Sequence, residues 1–447
     1  MNKVLGIWIL WIGCIAGCAF CLLQGWPGAV SIDMFQSVRE GFDSRYAGHY
    51  DPMAAVFWKL PLLFLEMPGA VALVFVLQLL AYWAAFGLLG WSALRRGSVA
   101  VAVLLLALAW SPPFLAFSIA VESNMQVAVW WGLSMAVCMT WRRPSVLMSV
   151  LPALWFGFVA RYGTVAAFVP VAYFCARITL PSWRFWKVAG CTLALAATFQ
   201  AISYAVPKLV LRAPSSVSTL SISQLFDMAG VYQLTGNHWI PPWCVPEGHT
   251  VGDIIASYEV RNCVPMFWSI GGKPIFTRPK TEAEAAELRQ AWWTTFKAEP
   301  MAYLTVKARF AGAFLLWTHD TCYGTGLDFS GGPHIGVQAP AEPAQHPMMR
   351  YASATASWLV WRAWVWILVV LAALVAALLA RAKDLGAAVA AVLAGLGLLL
   401  PHLVFGQGAS PRYLLPVYWS FTTALALVLP QILRPASRRL GGSSAAG

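Results

Sequence analysis

Four ionisable residues stand at the edges of long apolar runs: Asp33, Glu122, Arg161 and Arg412. A carboxylate so placed can take the proton from an attacking hydroxyl or amine. A guanidinium offers a planar fork that matches two phosphate oxygens. Each residue also has a plainer reading. Asp33 would start a helix, Glu122 would cap the helix beginning at Ser123 and Asn124, and the arginines would snorkel to a membrane surface. If all four lie at one depth on one side of a membrane, they are costly unless they pair or face a water-filled cavity. A shared cavity on that side is the expectation.

The elements that must position them begin with residues 31–52, SIDMFQSVREGFDSRYAGHYDP. Met34, Phe35, Val38 and Phe42 recur at helical spacing, with Asp33, Gln36, Ser37 and Glu40 on the other face. A helix of this kind between apolar runs suits the membrane–water boundary. Asp33 falls in its first turn, after a Ser31 cap, where the helix dipole favours the ionised carboxylate.

Of 447 residues, 60% are hydrophobic and 11% charged. Soluble domains carry about 25% charged residues, so the composition is that of an integral membrane protein. Apolar runs at 4–23, 68–92, 99–118, 125–141, 146–160, 164–180, 187–206, 358–380, 386–403 and 412–433 predict about ten spans. Residues 15–18, IAGC, resemble a lipoprotein cleavage site, but the sequence after Cys18 stays apolar and the first run reads as an uncleaved span. With the amino terminus inside, the connections at Arg95–Arg96, Arg142–Arg143, Arg177–Lys187 and Arg381–Lys383, and the tail 434–447, all fall on the inner side. That side then holds one acid, Asp384, among its basic residues, and it carries the whole formal charge of +12. Nucleic-acid binding is not needed to explain that charge.

The expected organisation is therefore an N-terminal membrane region (1–206), one outer polar segment of about 150 residues (207–357), C-terminal membrane helices (358–433) and a cytoplasmic tail. Within the outer segment, Thr281 and Glu284 form a capping-box signature, and 303–317 reads as an amphipathic stretch lying on the membrane surface. In an oxidising compartment Cys244 and Cys263 would pair, a bridge that stabilises by about 3 kcal/mol, leaving Cys322 unpaired. The remaining six cysteines lie in or beside apolar runs and read as small apolar fillers. All seven histidines fall on the outer side. His49 with Asp51, and His319 with Asp320, are metal candidates, yet no spacing is diagnostic and no metal or other cofactor is expected. No nucleotide-binding glycine loop is present.

With these motifs in place, the chain resembles the glycosyltransferase C superfamily, in the branch of the protein O-mannosyltransferases and the lipid A aminoarabinose transferase. Asp33 is similar to that family's first-loop acid. GHYDPMAAVFWKLP is similar to its His-Pro element, with Tyr50 and Asp51 inserted between His49 and Pro52. SIAVESN is similar to its second acidic loop, ARYG to its Arg-containing turn, and PRYLLP to an element near its C-terminus. The outer segment 207–357 matches none of its elements. The resemblance implies an all-α polytopic enzyme of the inner membrane, with both termini in the cytoplasm and juxtamembrane helices in the first outer loop. It implies transfer from a polyprenyl-phosphate-linked sugar to a lipid, glycan or protein acceptor on the outer face. Asp33 and Glu122 would then be the catalytic acids, and Arg161 and Arg412 would hold the donor phosphate. A transporter or lipid flippase, which would show related halves and broken spans, and a noncatalytic assembly scaffold are the alternatives.

Overall fold

The computed structural model describes residues 3–30, 32–44, 52–161, 163–210, 212, 220–267, 275–317, 346–406 and 408–433. His49, Asp51, His319, Asp320, Cys322 and the tail lie outside these residues. The described chain is almost wholly helical. Its membrane-type part opens with α1 (Lys3–Gly25), β1 (Ala29–Val30), α2 (Ile32–Asp43), α3 (Pro52–Leu62), α4 (Met67–Arg95), α5 (Val99–Ala109) and α6 (Pro112–Ser118). It continues through β2 (Ala120–Val121), α7 (Ser123–Trp141), α8 (Pro144–Val159), α9 (Val165–Thr179) and α10 (Phe185–Ala205). A polar unit follows, made of α11 (Ser221–Thr235), α12 (Val251–Ser257), α13 (Val264–Phe267), α14 (Glu282–Ala298) and α15 (Pro300–Phe314), after which α16 (Pro347–Ala354) packs on α6. The chain returns to apolar helices with α17 (Ala363–Leu379), α18 (Leu385–Phe405) and α19 (Leu415–Ile432).

Each expected span falls on a helix, but the expected count of ten is not met by length and composition. Among the described residues, five helices are long and apolar enough to cross a membrane, or six if the bent α5–α6 pair is one span. The pair bends by 54° at Ser111, where Pro112 and Pro113 supply no N–H to continue the helix. α8, α9 and α17 are apolar but shorter.

α19 is buried almost all round, packed among α4, α7, α17 and α18. α1 and α10 sit at the rim, with apolar side chains such as Leu23 and Trp186 both 80% exposed, as expected of lipid-facing helices.

The end of the bundle opposite the polar unit is tied by charge. Asp384, before α18, lies 3.4 Å from Arg96 and 2.8 Å from Arg142. Gln431 donates to the same carboxylate at 3.3 Å. Arg95 donates to the Thr140 carbonyl and Arg96 to the Leu427 carbonyl. Four arginine bonds thus gather the final turns of α4, α7 and α19 and the start of α18. The opposite ends of these same helices must meet at the other end of the bundle.

The polar unit packs there. Ser223 on α11 donates to the Phe405 carbonyl, and α15 rests on α18. Its core joins three helices through the buried carboxylate of Asp227, which accepts from Trp292 at 3.2 Å, from Tyr303 at 3.1 Å and from Lys307. The 303–317 stretch, expected to lie on a membrane surface, is thus packed into this unit through Lys307. The capping box forms as expected: the Thr281 hydroxyl accepts from the Glu284 N–H, and Glu284 accepts from the Thr281 N–H. Cys244 is a buried, unbridged thiol, so the expected bond to Cys263 is not made. The turns that carry them are held by backbone instead. The Thr277 N–H donates to the Cys244 carbonyl at 2.7 Å, and the Met266 carbonyl accepts from Ile275 and Phe276.

Candidate functional site

The site lies at the end away from Asp384, where α1 and α6 leave the bundle. Their exits are joined by a two-residue parallel ladder, Ala29 opposite Ala120 and Val30 opposite Val121. The approach is close. At Gly28, φ is +108°, and a Cβ there would lie 2.8 Å from Phe75, so only glycine fits both the turn and the space. Gln78, buried in the middle of α4, donates to the Ala120 carbonyl at 2.8 Å and accepts from Gln126 at 2.5 Å. Gln126 in turn accepts from Trp130. This polar chain fixes β2 within an otherwise apolar interior.

Glu122 follows β2 directly. Its backbone is extended and its carboxylate accepts from the backbone N–H groups of Asn124 (2.6 Å) and Met125 (3.1 Å). The Asn124 carboxamide (2.5 Å) and the Ser123 hydroxyl (3.2 Å) donate to its other oxygen. The plainer sequence reading, a cap of the following helix, is therefore realised in the geometry. With both oxygens bonded and the side chain buried, Glu122 is built as a fixed negative charge.

The same ladder delivers the first loop to Glu122. Val30 sits opposite Val121, the residue before Glu122, and α2, with Asp33 in its first turn, starts two residues after Val30. α2 packs on α3, where the Trp58 indole N–H points at the Met34 sulfur. The polar face of α2 does not all face water as the sequence pattern suggests: Ser37 and Glu40 are buried. One Glu40 oxygen accepts from Gln36 at 3.1 Å, and the other has no hydrogen-bond partner among the described residues.

Arg161, in the turn between α8 and α9, and Arg412, in the tight turn Pro411–Leu414, converge on one aromatic ring. The Arg161 guanidinium carbon lies 4.5 Å from the centre of Tyr413, and that of Arg412 lies 5.1 Å from it. Arg412 also donates to the Tyr413 hydroxyl at 3.1 Å. The ring of His402, from the last turn of α18, stacks on Tyr413 at 4.7 Å, and Phe314 of the polar unit stands 5.8 Å from His402. The ring face draws both cations by its quadrupole, and the close helix pair α9–α18 brings their turns together. What results is a paired guanidinium seat beneath the polar unit, suited to an anion with several oxygens.

The chain matches no family model, no curated protein and no solved structure.

Of the four residues singled out by sequence, the structure brings Arg161 and Arg412 onto one ring, and the strands that lead to α2 and to Glu122 pair with each other. Glu122 itself forms an ion pair with neither arginine; its carboxylate is held by the cap. Among the described residues, no three His, Cys, Asp or Glu side chains gather as metal ligands. Sequence reasoning passed over Tyr413, His402, Gln78 and Glu40. A single polar residue in an apolar run was the available signal for Gln78 and His402. For Tyr413 it was the aromatic adjoining Arg412 in PRYLLP.

Proposed function

We propose that this chain is a membrane-embedded glycosyltransferase that moves a sugar from a polyprenyl-phosphate-linked donor to an acceptor hydroxyl or amine. The observation that carries the reading is the convergence of Arg161 and Arg412 on Tyr413. Two guanidinium groups gathered on one ring suit a leaving phosphate, whose charge grows as the bond to the anomeric carbon breaks. In the proposed reaction the acceptor oxygen or nitrogen attacks that carbon and the electron pair of the broken bond stays on the phosphate. The acceptor's proton passes to the Asp33 carboxylate. Glu122 contributes a fixed charge that orients the acceptor beside α2. A lipid-linked donor needs no nucleotide-binding fold, and no metal or other cofactor enters this scheme.

The reading includes ten spans, counting α7 and the shorter apolar helices α8, α9 and α17, with both termini in the cytoplasm. It sets the Asp384 end inside and the polar unit 207–357 outside an inner membrane, which follows the charge partition. Reporter fusions after Arg96, Arg143, Lys187 and Lys383 should then read as cytoplasmic and one at Gly248 as external; a cytoplasmic signal at Gly248 overturns this orientation. The chemistry is tested by transfer from a synthetic polyprenyl phosphosugar in purified protein. Asp33→Asn should lower transfer by about 100-fold while donor binding persists, the usual scale for losing a general base. Near wild-type transfer by Asp33→Asn would sink the assignment. The bent α5–α6 pair is the one feature that favours a transporter. Movement of labelled lipid across vesicles without any transfer product would decide for that reading.

A further inference from the structure

The polar unit contains a crevice of about 250 Å3 between α11, α15 and the segment Tyr258–Val260. One wall is aliphatic, with Val260 and Val306. The opposing groups are polar and of distinct kinds. Gln233 offers a carboxamide. Glu259 also lines the space, but its charge is matched by Arg261, whose guanidinium holds it at 2.9 and 3.0 Å. Arg309 lines the space as well and forms no ion pair with a described residue. The crevice therefore carries one uncompensated positive charge.

Two further observations concern its floor. The Tyr258 hydroxyl is enclosed and has no hydrogen-bond partner among the described residues, a costly arrangement for a polar group. It lies against Gly230, where a Cβ would sit 2.7 Å from the hydroxyl and 2.9 Å from Val306. Any larger residue at 230 would press on the tyrosine and narrow the crevice. The absence of a side chain at Gly230 leaves room for the Tyr258 ring beneath the crevice.

We infer that this crevice binds one anionic sugar unit, a hexose bearing a carboxylate or a phosphate. Its volume falls just under the usual range of about 300–1,000 Å3 for small-molecule pockets, which suits a single ring. The aliphatic wall takes the C–H face of the ring, Gln233 meets its hydroxyls, and Arg309 takes the anion. The inference is built from the polar unit alone and does not depend on the transfer reaction proposed above. The crevice is nonetheless wired to the membrane end. Just beyond Glu259, Asn262 bridges to Gly408, and the Ala409 N–H donates to the Arg261 carbonyl at 2.8 Å. Three residues later comes Arg412.

The test uses the full-length protein in phosphatidylcholine nanodiscs, titrated with glucuronate, glucose 6-phosphate and glucose, with binding read by saturation-transfer NMR. At least one of the two anions should bind saturably, with glucose at least about tenfold weaker; the anion that binds names the recognised group. Arg309→Gln should weaken the anion by about tenfold, and Gly230→Val should remove binding by filling the floor. Arg161→Ala and Arg412→Ala should leave this binding unchanged even if they abolish transfer, which separates the inference from the proposed chemistry. The inference is overturned if neither anion binds the wild type, if glucose binds as well as they do, or if Arg309→Gln binds like the wild type. Loss of binding in Arg161→Ala would also overturn it, by placing the ligand at the Tyr413 cluster. Should Gly230→Val fail to fold, the Arg309 result decides.

Discussion

The two ends of the membrane bundle use arginine in different ways. At the Asp384 end, Arg96 and Arg142 close on a carboxylate, and Arg95 and Arg96 also reach main-chain carbonyls at the ends of neighbouring helices. These bonds join elements far apart in sequence, and their product is a fixed helix arrangement. At the Tyr413 end, Arg161 and Arg412 are gathered over a ring. A carboxylate neutralises the charge of an arginine, whereas a ring face attracts the cation without neutralising it. The comparison teaches that arginines at equal depth are separable into locks and seats by what receives them.

The sharpest way to break this comparison is to remove arginines at each end in turn. Arg161→Ala and Arg412→Ala should each lower transfer by about 100-fold, the scale for losing a preorganised charge stabiliser, with little change in unfolding midpoint. Arg142→Ala should do the reverse, lowering the midpoint while transfer per folded molecule holds. Equal activity loss at both ends would erase the distinction.

A second effect, expected to be smaller, sharpens the lock. Asp384→Ala leaves Arg96 and Arg142 facing each other without their carboxylate. Removing one member of a buried pair costs about 3–5 kcal/mol; with these side chains 14%, 19% and 39% exposed, a loss of about 2 kcal/mol is expected. Chemical denaturation in mixed micelles measures it.

Much of this arrangement was legible in the sequence because its signals are long. A run of some twenty apolar residues can hardly be anything but a buried or spanning helix, and the basic connections sort themselves by side. The Thr281–Glu284 box was equally plain, since both partners lie within one turn. Arg161 and Arg412 were expected to share a cavity and one phosphate; the ring that unites them was not, because it depends on how α9 packs against α18. The β1–β2 ladder was illegible for a physical reason: two residues carry no period to detect. Glu40 was misplaced because an amphipathic pattern shows which residues share a face without showing what covers it. The Cys244–Cys263 expectation failed because loop length says nothing of how the two turns are held.

A third prediction contrasts the Asp384 lock with the polar unit's own ion pair. Burial raises the Asp227 carboxyl above its ordinary value, outweighing the opposite pull of Lys307, Trp292 and Tyr303. The folded protein therefore holds this proton more tightly than the unfolded chain does. The stability it contributes is complete below the ordinary carboxylate value of about 3.8 and is lost as pH rises through the raised value. Relative to Asp227→Asn, the wild type should lose stability as pH climbs above this range, followed by Trp292 fluorescence during unfolding. Identical pH slopes in the two proteins would refute it.

The smallest effect is expected at Glu40. A buried carboxylate with one oxygen unbonded gains little from its charge, so Glu40→Gln should leave the unfolding midpoint unchanged or raise it by up to about 1 kcal/mol. A loss of transfer without a loss of stability would add Glu40 to the seat.

The two-residue ladder also sets an order of events. A chain emerging at about 5–20 residues per second presents Val121 roughly 5–18 s after Val30, so the first loop must wait at the membrane for its docking strand. Arg412 emerges later still, after the whole polar unit. α2 and the Arg161–Arg412 cluster over Tyr413 are thus made at different times, and a nascent chain stalled within the polar unit would expose α2 before Arg412 exists. In the proposed reaction, competence for transfer would arrive only with the last helix.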